Sequence, residues 1–235
     1  RDILYYADST ECNHSGETKT DLVHGMVKHA NVLTPTSVSS GKYSSDAGRV
    51  VVWGGHTVSC AEYDYCKHVG EQFGLRAMEV ITGGGPGTMR AGLKGNMQGF
   101  HMQGTRNAQQ IGISAPEIIA AEPPNRYVTS LVIMPNIETR LEAFARLANG
   151  IALFPGGAGS AEEFLFALAL KMDEKNADQK LPLILTAPKE SQSYVESLDS
   201  FIMETLGAEA RNYYEIIIED RAAVAESMRS EVMYD

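Results

Sequence analysis

The stretch Pro155-Gly-Gly-Ala-Gly-Ser-Ala-Glu-Glu163 is the part of this sequence best suited to chemistry. An apolar run over residues 151–154 stops at a glycine-rich loop, and a helical pattern begins at Ser160. A strand that turns into a helix in this way directs free backbone N–H groups and a positive helix end at one point, which suits a phosphate. Gly156, Gly157, Gly159 and Ser160 are placed to hold it. Glu162 and Glu163 follow at once, so an acid stands beside an anion cradle, and the combination points to chemistry on a phosphorylated molecule rather than to anchoring. Ser160-Ala-Glu-Glu163 also fits a capping box, with Ser160 capping the helix and Glu163 reaching back to its N–H. Ser160 can serve either role. Neighbouring residues on a helix point about 100° apart, so the two acids are not expected to face one ligand together.

Two more junctions have the same style. Trp53-Gly-Gly-His-Thr-Val-Ser59 and Thr82-Gly-Gly-Gly-Pro-Gly-Thr88 each follow a short apolar run. They add Gly54, Gly55, His56, Gly84, Gly85, Gly87 and Thr88 as substrate-binding candidates, along with Glu162 and with Met134 at the end of the run over residues 131–134. Any one of these loops could be only a tight turn. Three together are harder to explain so, because each glycine costs about 0.5–1 kcal/mol relative to alanine in backbone entropy. The middle loop is not a dinucleotide fingerprint, since Thr88 stands where a third Gly or Ala is needed, and no GxxxxGK[ST] occurs. Arg140 falls early in a helical pattern whose core stripe is Ile137, Leu141, Phe144 and Leu147–Ala148. It reads either as a solvated helix-face arginine or as a cation at the binding edge. Glu122-Pro-Pro-Asn-Arg126 is a stiff loop able to cover the site. No HExxH or other metal spacing and no G-x-S-x-G elbow is present, so neither a metal nor a serine nucleophile is expected.

The elements that must position these residues follow from the apolar pattern. Strands are expected at 50–53, 78–82, 110–114, 131–134, 151–154, 181–186 and 214–218, and helices at 59–73, 87–98, 137–148, 160–172, 191–206 and 220–228. Strands rich in Val, Ile and Leu without polar alternation are buried on both faces. Alternation with helices therefore predicts an α/β, Rossmann-like doubly wound sheet, mostly parallel, of about seven strands with helices on both faces. Right-handed crossovers then bring all three glycine loops to one edge. Residues 1–45 differ: a polar stretch at 8–20, a possible helix at 22–32 and a Ser/Gly-rich linker at 37–46 suggest an N-terminal arm, or the remnant of a flanking domain, ahead of a catalytic domain at 46–235.

Composition narrows the partners. The chain has 235 residues, 43% hydrophobic and 21% charged, which is enough for one large core. A net charge of −10 gives no basic field for nucleic acid. No apolar run approaches the roughly 18 residues a membrane helix needs. Three cysteines without CxxC spacing point to a reducing, cytoplasmic setting. The sequence begins with Arg and not Met, which suggests a fragment or a trimmed product.

Taken in order, these motifs resemble a known family. Pro155-Gly-Gly-Ala-Gly-Ser-Ala-Glu-Glu163 is similar to the PGGxGTxxE signature of the Lonely Guy phosphoribohydrolases, and Arg140-Leu-Glu-Ala-Phe-Ala-Arg146 to their RKAEMAR helix. The longer pattern looks closer to bacterial pyrimidine/purine nucleotide 5′-monophosphate nucleosidases, through Trp53–His56, Thr82–Gly87, Ile118–Asn125, Ile133–Phe144 and Leu181–Thr186. The resemblance implies hydrolysis of the N-glycosidic bond of a nucleoside 5′-monophosphate to free base and ribose 5-phosphate, with Arg140 and Glu163 catalytic, no cofactor, and a homodimer or higher assembly. It also implies two alternatives: release of cytokinin bases from their riboside 5′-monophosphates, and a non-catalytic nucleotide-binding module. Relatives have been labelled lysine decarboxylases, yet nothing here suggests a pyridoxal site. Ser160 stands for the family's Thr and keeps the hydroxyl, whereas Leu141 stands for its Lys and removes any role of that lysine.

Overall fold

A computed structural model describes residues 2–5, 48–105, 108–176 and 180–232. The expected arm helix at 22–32, the linker at 37–46 and Cys12 lie outside the described residues. The strands are β1 (Asp2–Tyr5), β2 (Arg49–Trp53), β3 (Glu79–Thr82), β4 (Gln110–Ser114), β5 (Ser130–Ile133), β6 (Gly150–Leu153), β7 (Leu183–Ala187) and β8 (Glu215–Ile218). The helices are α1 (Cys60–Leu75), α2 (Thr88–Met102), α3 (Pro116–Ala121), α4 (Ile137–Leu147), α5 (Ala158–Met172), α6 (Gln192–Leu206) and α7 (Arg221–Val232). All seven expected strands are present, with ends shifted by at most two residues, and β1 adds an eighth at the edge by pairing with β5.

Every pairing in the sheet is parallel, and its order is β1-β5-β4-β3-β2-β6-β7-β8. The chain winds outward from β2 through β3, β4 and β5, then returns to build β6, β7 and β8 on the other side of β2. The direction therefore reverses between β2 and β6. In open α/β sheets, the carboxyl ends of strands at such a reversal frame a crevice for ligands. Here those ends are Trp53 and Leu153, which lead into the first and third glycine loops.

Strand side chains alternate between two cores. Val50 and Val52 pack with Phe73, Leu93 and Met228 on one face, whereas Val51 and Trp53 pack with Phe144, Phe164 and Ile202 on the other. Both faces being covered explains the unbroken apolar character of these strands. Helices α1 and α2 touch backbone to backbone through glycines. A Cβ on Gly95 would lie 1.7 Å from the Lys67 carbonyl oxygen, and one on Gly99 would lie 2.3 Å from that of Glu71. Buried Asn96 locks the pair, its side-chain amide donating to the carbonyls of Gly70 and Met78 while its Oδ1 accepts from Gln110.

Capping sets where the helices begin. Ser59 and Glu62 form a reciprocal capping box on α1, and Asn136 accepts from the Thr139 N–H to start α4. The capping box expected at Ser160 does not form. Helix α5 starts two residues earlier at Ala158, with Gly157 at its N-cap and no side-chain cap, which frees both Ser160 and Glu163 for other partners. Helix α3 was not foreseen; Pro116 at its first position supplies the required φ without sacrificing a hydrogen bond.

The glycine contact between α1 and α2 gives a stability prediction. Gly95→Ala places a methyl group against backbone that cannot yield, so it should destabilise the protein by about 3 kcal/mol, which lowers Tm by roughly 6–12 °C in a chain of this size. A thermal melt within 2 °C of the parent would contradict the packing described.

Candidate active site

The three glycine loops are stitched into one wall by backbone hydrogen bonds. The Gly55 N–H donates to the Pro155 carbonyl at 2.9 Å, and the Thr88 N–H donates to the Gly55 carbonyl at 3.0 Å. Asn125 then clips the middle loop from outside: its N–H donates to the Gly84 carbonyl, and its side-chain amide donates to the carbonyls of Gly84 and Gly85. Gly87 has φ of +61°, and a Cβ there would meet the carbonyl oxygens of Gly55 and His56 at 2.3 and 2.4 Å. No other residue fits at that crossing.

This wall borders a cleft of about 250 Å³ over the carboxyl ends of β2, β3 and β4. The volume falls just under the roughly 300–1,000 Å³ of drug-sized ligand sites, so the cleft suits a small molecule better than a dinucleotide. Of the residues singled out from sequence, Gly54, His56, Gly84, Gly85, Arg140, Gly157, Gly159, Ser160, Glu162 and Glu163 line it. Gly55, Gly87, Thr88 and Gly156 do not line it but brace it. The Thr88 side chain fills the space a Cβ on Gly54 would need, and the Ser160 hydroxyl does the same for Gly156. Met134 is packed against the core and does not line the cleft. Both Glu162 and Glu163 line the cleft, although neighbouring helix residues were not expected to face one ligand together.

Arg140 is not a solvated helix-face residue. Its Nε donates to the Ile113 carbonyl at 3.1 Å, its Nη1 donates to Glu163 Oε1 at 2.9 Å, and its guanidinium lies over the Phe144 ring. The two side chains keep only 10% and 14% exposure. Gly83 makes this possible, since a Cβ there would sit 2.7 Å from Arg140 Nη2. Burial pushes the Glu163 carboxyl above its ordinary value; the Arg140 charge and hydrogen bond, and to a lesser degree His56, pull the other way. The second arginine of the same helix, Arg146, is exposed and pairs with Glu142 one turn back.

Beside this pair, the first turn of α5 offers the N–H groups of Ala158, Gly159 and Ser160, which have no intrahelical acceptor. The helix dipole adds about half a positive charge at the same end. On the opposite rim, His56 Nδ1 lies 2.5 Å from Glu122 Oε2. Apolar wall comes from Met89, Ile118, Pro124, Ile137 and Leu141. Ile137 was expected in the core stripe of α4 but is 45% exposed at the cleft edge. The buried indole N–H of Trp53, another lining residue, has no hydrogen-bond partner among the described residues. Gly83, Ser114, Glu122 and Ile118 were not singled out as site residues. Ser114 ends a predicted strand and Gly83 directly follows one, so sheet-edge position alone could have flagged them. Ile118 belongs to the unforeseen α3. Among the described residues no group of three or more His, Cys, Asp or Glu converges as a metal site, and no described helix is long and apolar enough to cross a membrane.

Comparison with known proteins places the chain in a family. The family model described as "Possible lysine decarboxylase" matches residues 93–228. A pyrimidine/purine nucleotide 5′-monophosphate nucleosidase of Escherichia coli K12 is 48% identical over 210 residues, which is 89% of this chain and 44% of that protein. The protein of the same description from Escherichia coli O157:H7 matches equally. This chain thus spans a little under half the length of those relatives. Among solved structures, the molybdenum cofactor binding protein of Rippkaea orientalis superposes with a TM-score of 0.59 at 16% identity, covering 78% of this chain and 96% of that one. The molybdenum cofactor carrier protein of Chlamydomonas reinhardtii gives 0.55 at 18% identity, covering 80% and 99%. Likeness at that level speaks for the fold alone.

Two predictions test the buried pair. Arg140→Gln removes the positive charge that lowers the Glu163 pKa, so the carboxyl should titrate at still higher pH in ¹³C NMR; an unchanged or lower value would show that the pair is not coupled. Gly83→Ala should push the guanidinium off its anchors and cut ligand-dependent activity by about 10- to 100-fold, as displacements near 1 Å do at reacting centres, while the fold persists by circular dichroism.

Proposed function

The chain belongs to the family described as possible lysine decarboxylase, and from that footing we propose that it hydrolyses the N-glycosidic bond of nucleoside 5′-monophosphates to free base and ribose 5-phosphate. The observation that carries this reading is the buried Arg140–Glu163 pair held at 2.9 Å beside an uncapped helix N-terminus. The relatives named as nucleotide nucleosidases support it. The family description does not fit this site: amino-acid decarboxylation would call for a pyridoxal cofactor with a Schiff-base lysine, and among the described residues no lysine lines the cleft.

In this reading the 5′-phosphate docks on the N–H groups at the start of α5, with Gly157, Gly159 and the Ser160 hydroxyl around it. Anchoring the phosphate orients the sugar, so binding energy far from the C1′–N bond lowers the barrier at it. Bond cleavage passes through an oxocarbenium-like state, as in other glycoside hydrolyses. Glu163 faces that centre. A carboxyl raised by burial is a better proton acceptor than a free one and still offsets positive charge once ionised. Arg140 holds Glu163 in position and keeps its ionised form accessible. The apolar wall formed by Met89, Ile118 and Pro124 receives the base. Residues 46–235 make up the catalytic domain, acting as a homodimer or higher assembly in the cytoplasm.

The test is direct. Incubation with AMP, GMP, CMP, UMP and a prenylated AMP, with products separated, should show free base and ribose 5-phosphate. Preference for the prenylated substrate would redirect the reading to cytokinin release, and nucleotide bound without any base released would reduce the protein to a binding module. Glu163→Ala should bind nucleotide yet lose at least about 10³-fold in kcat, a loss of the size seen when a group acting in the transition state is deleted; turnover near the parent's would remove Glu163 from the mechanism. Since the ionised carboxylate is the working form, activity should rise with pH through the Glu163 titration. The acid limb of kcat/KM should therefore lie above the ordinary carboxylate value of 4.5.

A further inference from the structure

The Arg140–Glu163 pair leaves one chemical need unmet. A purine or pyrimidine departs poorly as an anion, so cleavage of C1′–N calls for a proton on the leaving base. A guanidinium cannot supply it, because arginine does not deprotonate in proteins. Glu163 is engaged at the anomeric carbon, and Glu162 stands on the exposed first turns of α5 next to the phosphate cradle. The remaining titratable groups on the cleft wall are His56, from the loop between β2 and α1, and Glu122, from the loop after α3.

These two are paired. His56 Nδ1 and Glu122 Oε2 are 2.5 Å apart, and the imidazole is 52% exposed, so solvent can reload it with a proton. An ionised carboxylate only accepts hydrogen bonds, so Nδ1 carries the hydrogen and Nε2 is the nitrogen left free for a substrate. His56 and Glu163 line the same cleft. The charged side chains that share the cleft with His56 are Glu122, Glu162, Glu163 and Arg140.

We propose that His56, oriented by Glu122, is the general acid that protonates the departing base. The inference rests on the nucleotide-hydrolysis reading and assigns the leaving-group side of the same site. As C1′–N breaks, its electron pair moves to the base and the Nε2–H proton of the imidazolium transfers to a heteroatom of the base. Water adds to C1′ and gives its proton to the Glu163 carboxylate. Proton exchange with solvent then returns His56 to the imidazolium and Glu163 to the carboxylate, and the net change consumes one water. His56 is the catalytic residue and Glu122 its positioning residue.

The experiment compares two substrates: AMP, whose base needs the proton, and 4-nitrophenyl β-D-ribofuranoside 5-phosphate, whose phenolate leaves without one. His56→Gln should lower kcat on AMP by about 10²- to 10³-fold, leave the nitrophenyl substrate within about threefold, and abolish the alkaline limb of kcat/KM on AMP. Glu122→Gln, which keeps a hydrogen-bond acceptor, should show the same selectivity with a smaller loss of about 10-fold. Equal losses on both substrates, or none on AMP, would overturn the role of His56 even though the parent enzyme works. A parent protein that cleaves neither substrate would overturn the hydrolysis reading itself and this inference with it.

Discussion

A buried carboxylate held against a buried guanidinium is the constraint around which this molecule is arranged. Two charges taken out of water cost several kcal/mol each, and their mutual attraction repays that only with good geometry and further hydrogen bonds. Arg140 meets those terms through three contacts from three different elements: the Ile113 carbonyl at the end of β4, Glu163 on α5, and the Phe144 ring on its own helix. Removing Glu163 would leave the guanidinium without its counter-charge. An arrangement this exacting adds little to stability, and its value lies in a carboxyl whose proton affinity is raised by burial and drawn back chiefly by the Arg140 charge and hydrogen bond.

The rest of the site follows from making room for that pair. Gly83 has no side chain because Arg140 Nη2 occupies the space, and Gly156 has none because the Ser160 hydroxyl does. The loops that carry these glycines would be floppy alone. They are held by hydrogen bonds running from Pro155 to Gly55, from Gly55 to Thr88, and from Gly84 to Asn125. Rigid loops at the β2–β6 reversal are what allow helix α5 to present unpaired N–H groups at a defined spot beside Glu163. With Gly157 as N-cap and no side-chain cap, α5 loses only about a few tenths of a kcal/mol of helix stability, and its first-turn N–H groups stay open.

Several site features could not have been read from local pattern. Ser160-Ala-Glu-Glu163 matches a capping box as well as Ser59-Cys-Ala-Glu62 does, yet only the second forms one. The difference is the pair of glycines ahead of Ser160, which let the helix begin early, and the presence of Arg140 to claim Glu163. Ile137 and Leu141 sit at core spacing, but the cleft opens beside them, so one is half exposed and the other lines it. Arg140 and Arg146 look alike in the helix pattern; their fates differ because one faces β4 and α5 and the other faces solvent.

The layered parallel sheet, the order of its elements, the clustering of three glycine loops on one edge and the family resemblance were all legible in the residues alone. These depend on apolar periodicity and on residue types at fixed short spacing, both of which are local. Packing in three dimensions was needed to show that Arg140 is buried, that Glu163 is its partner, that Gly83 leaves room for it, and that His56 meets Glu122 at the cleft. Each of those facts joins residues from different βα units, and no spacing along the chain encodes which side chain will fill the gap another leaves.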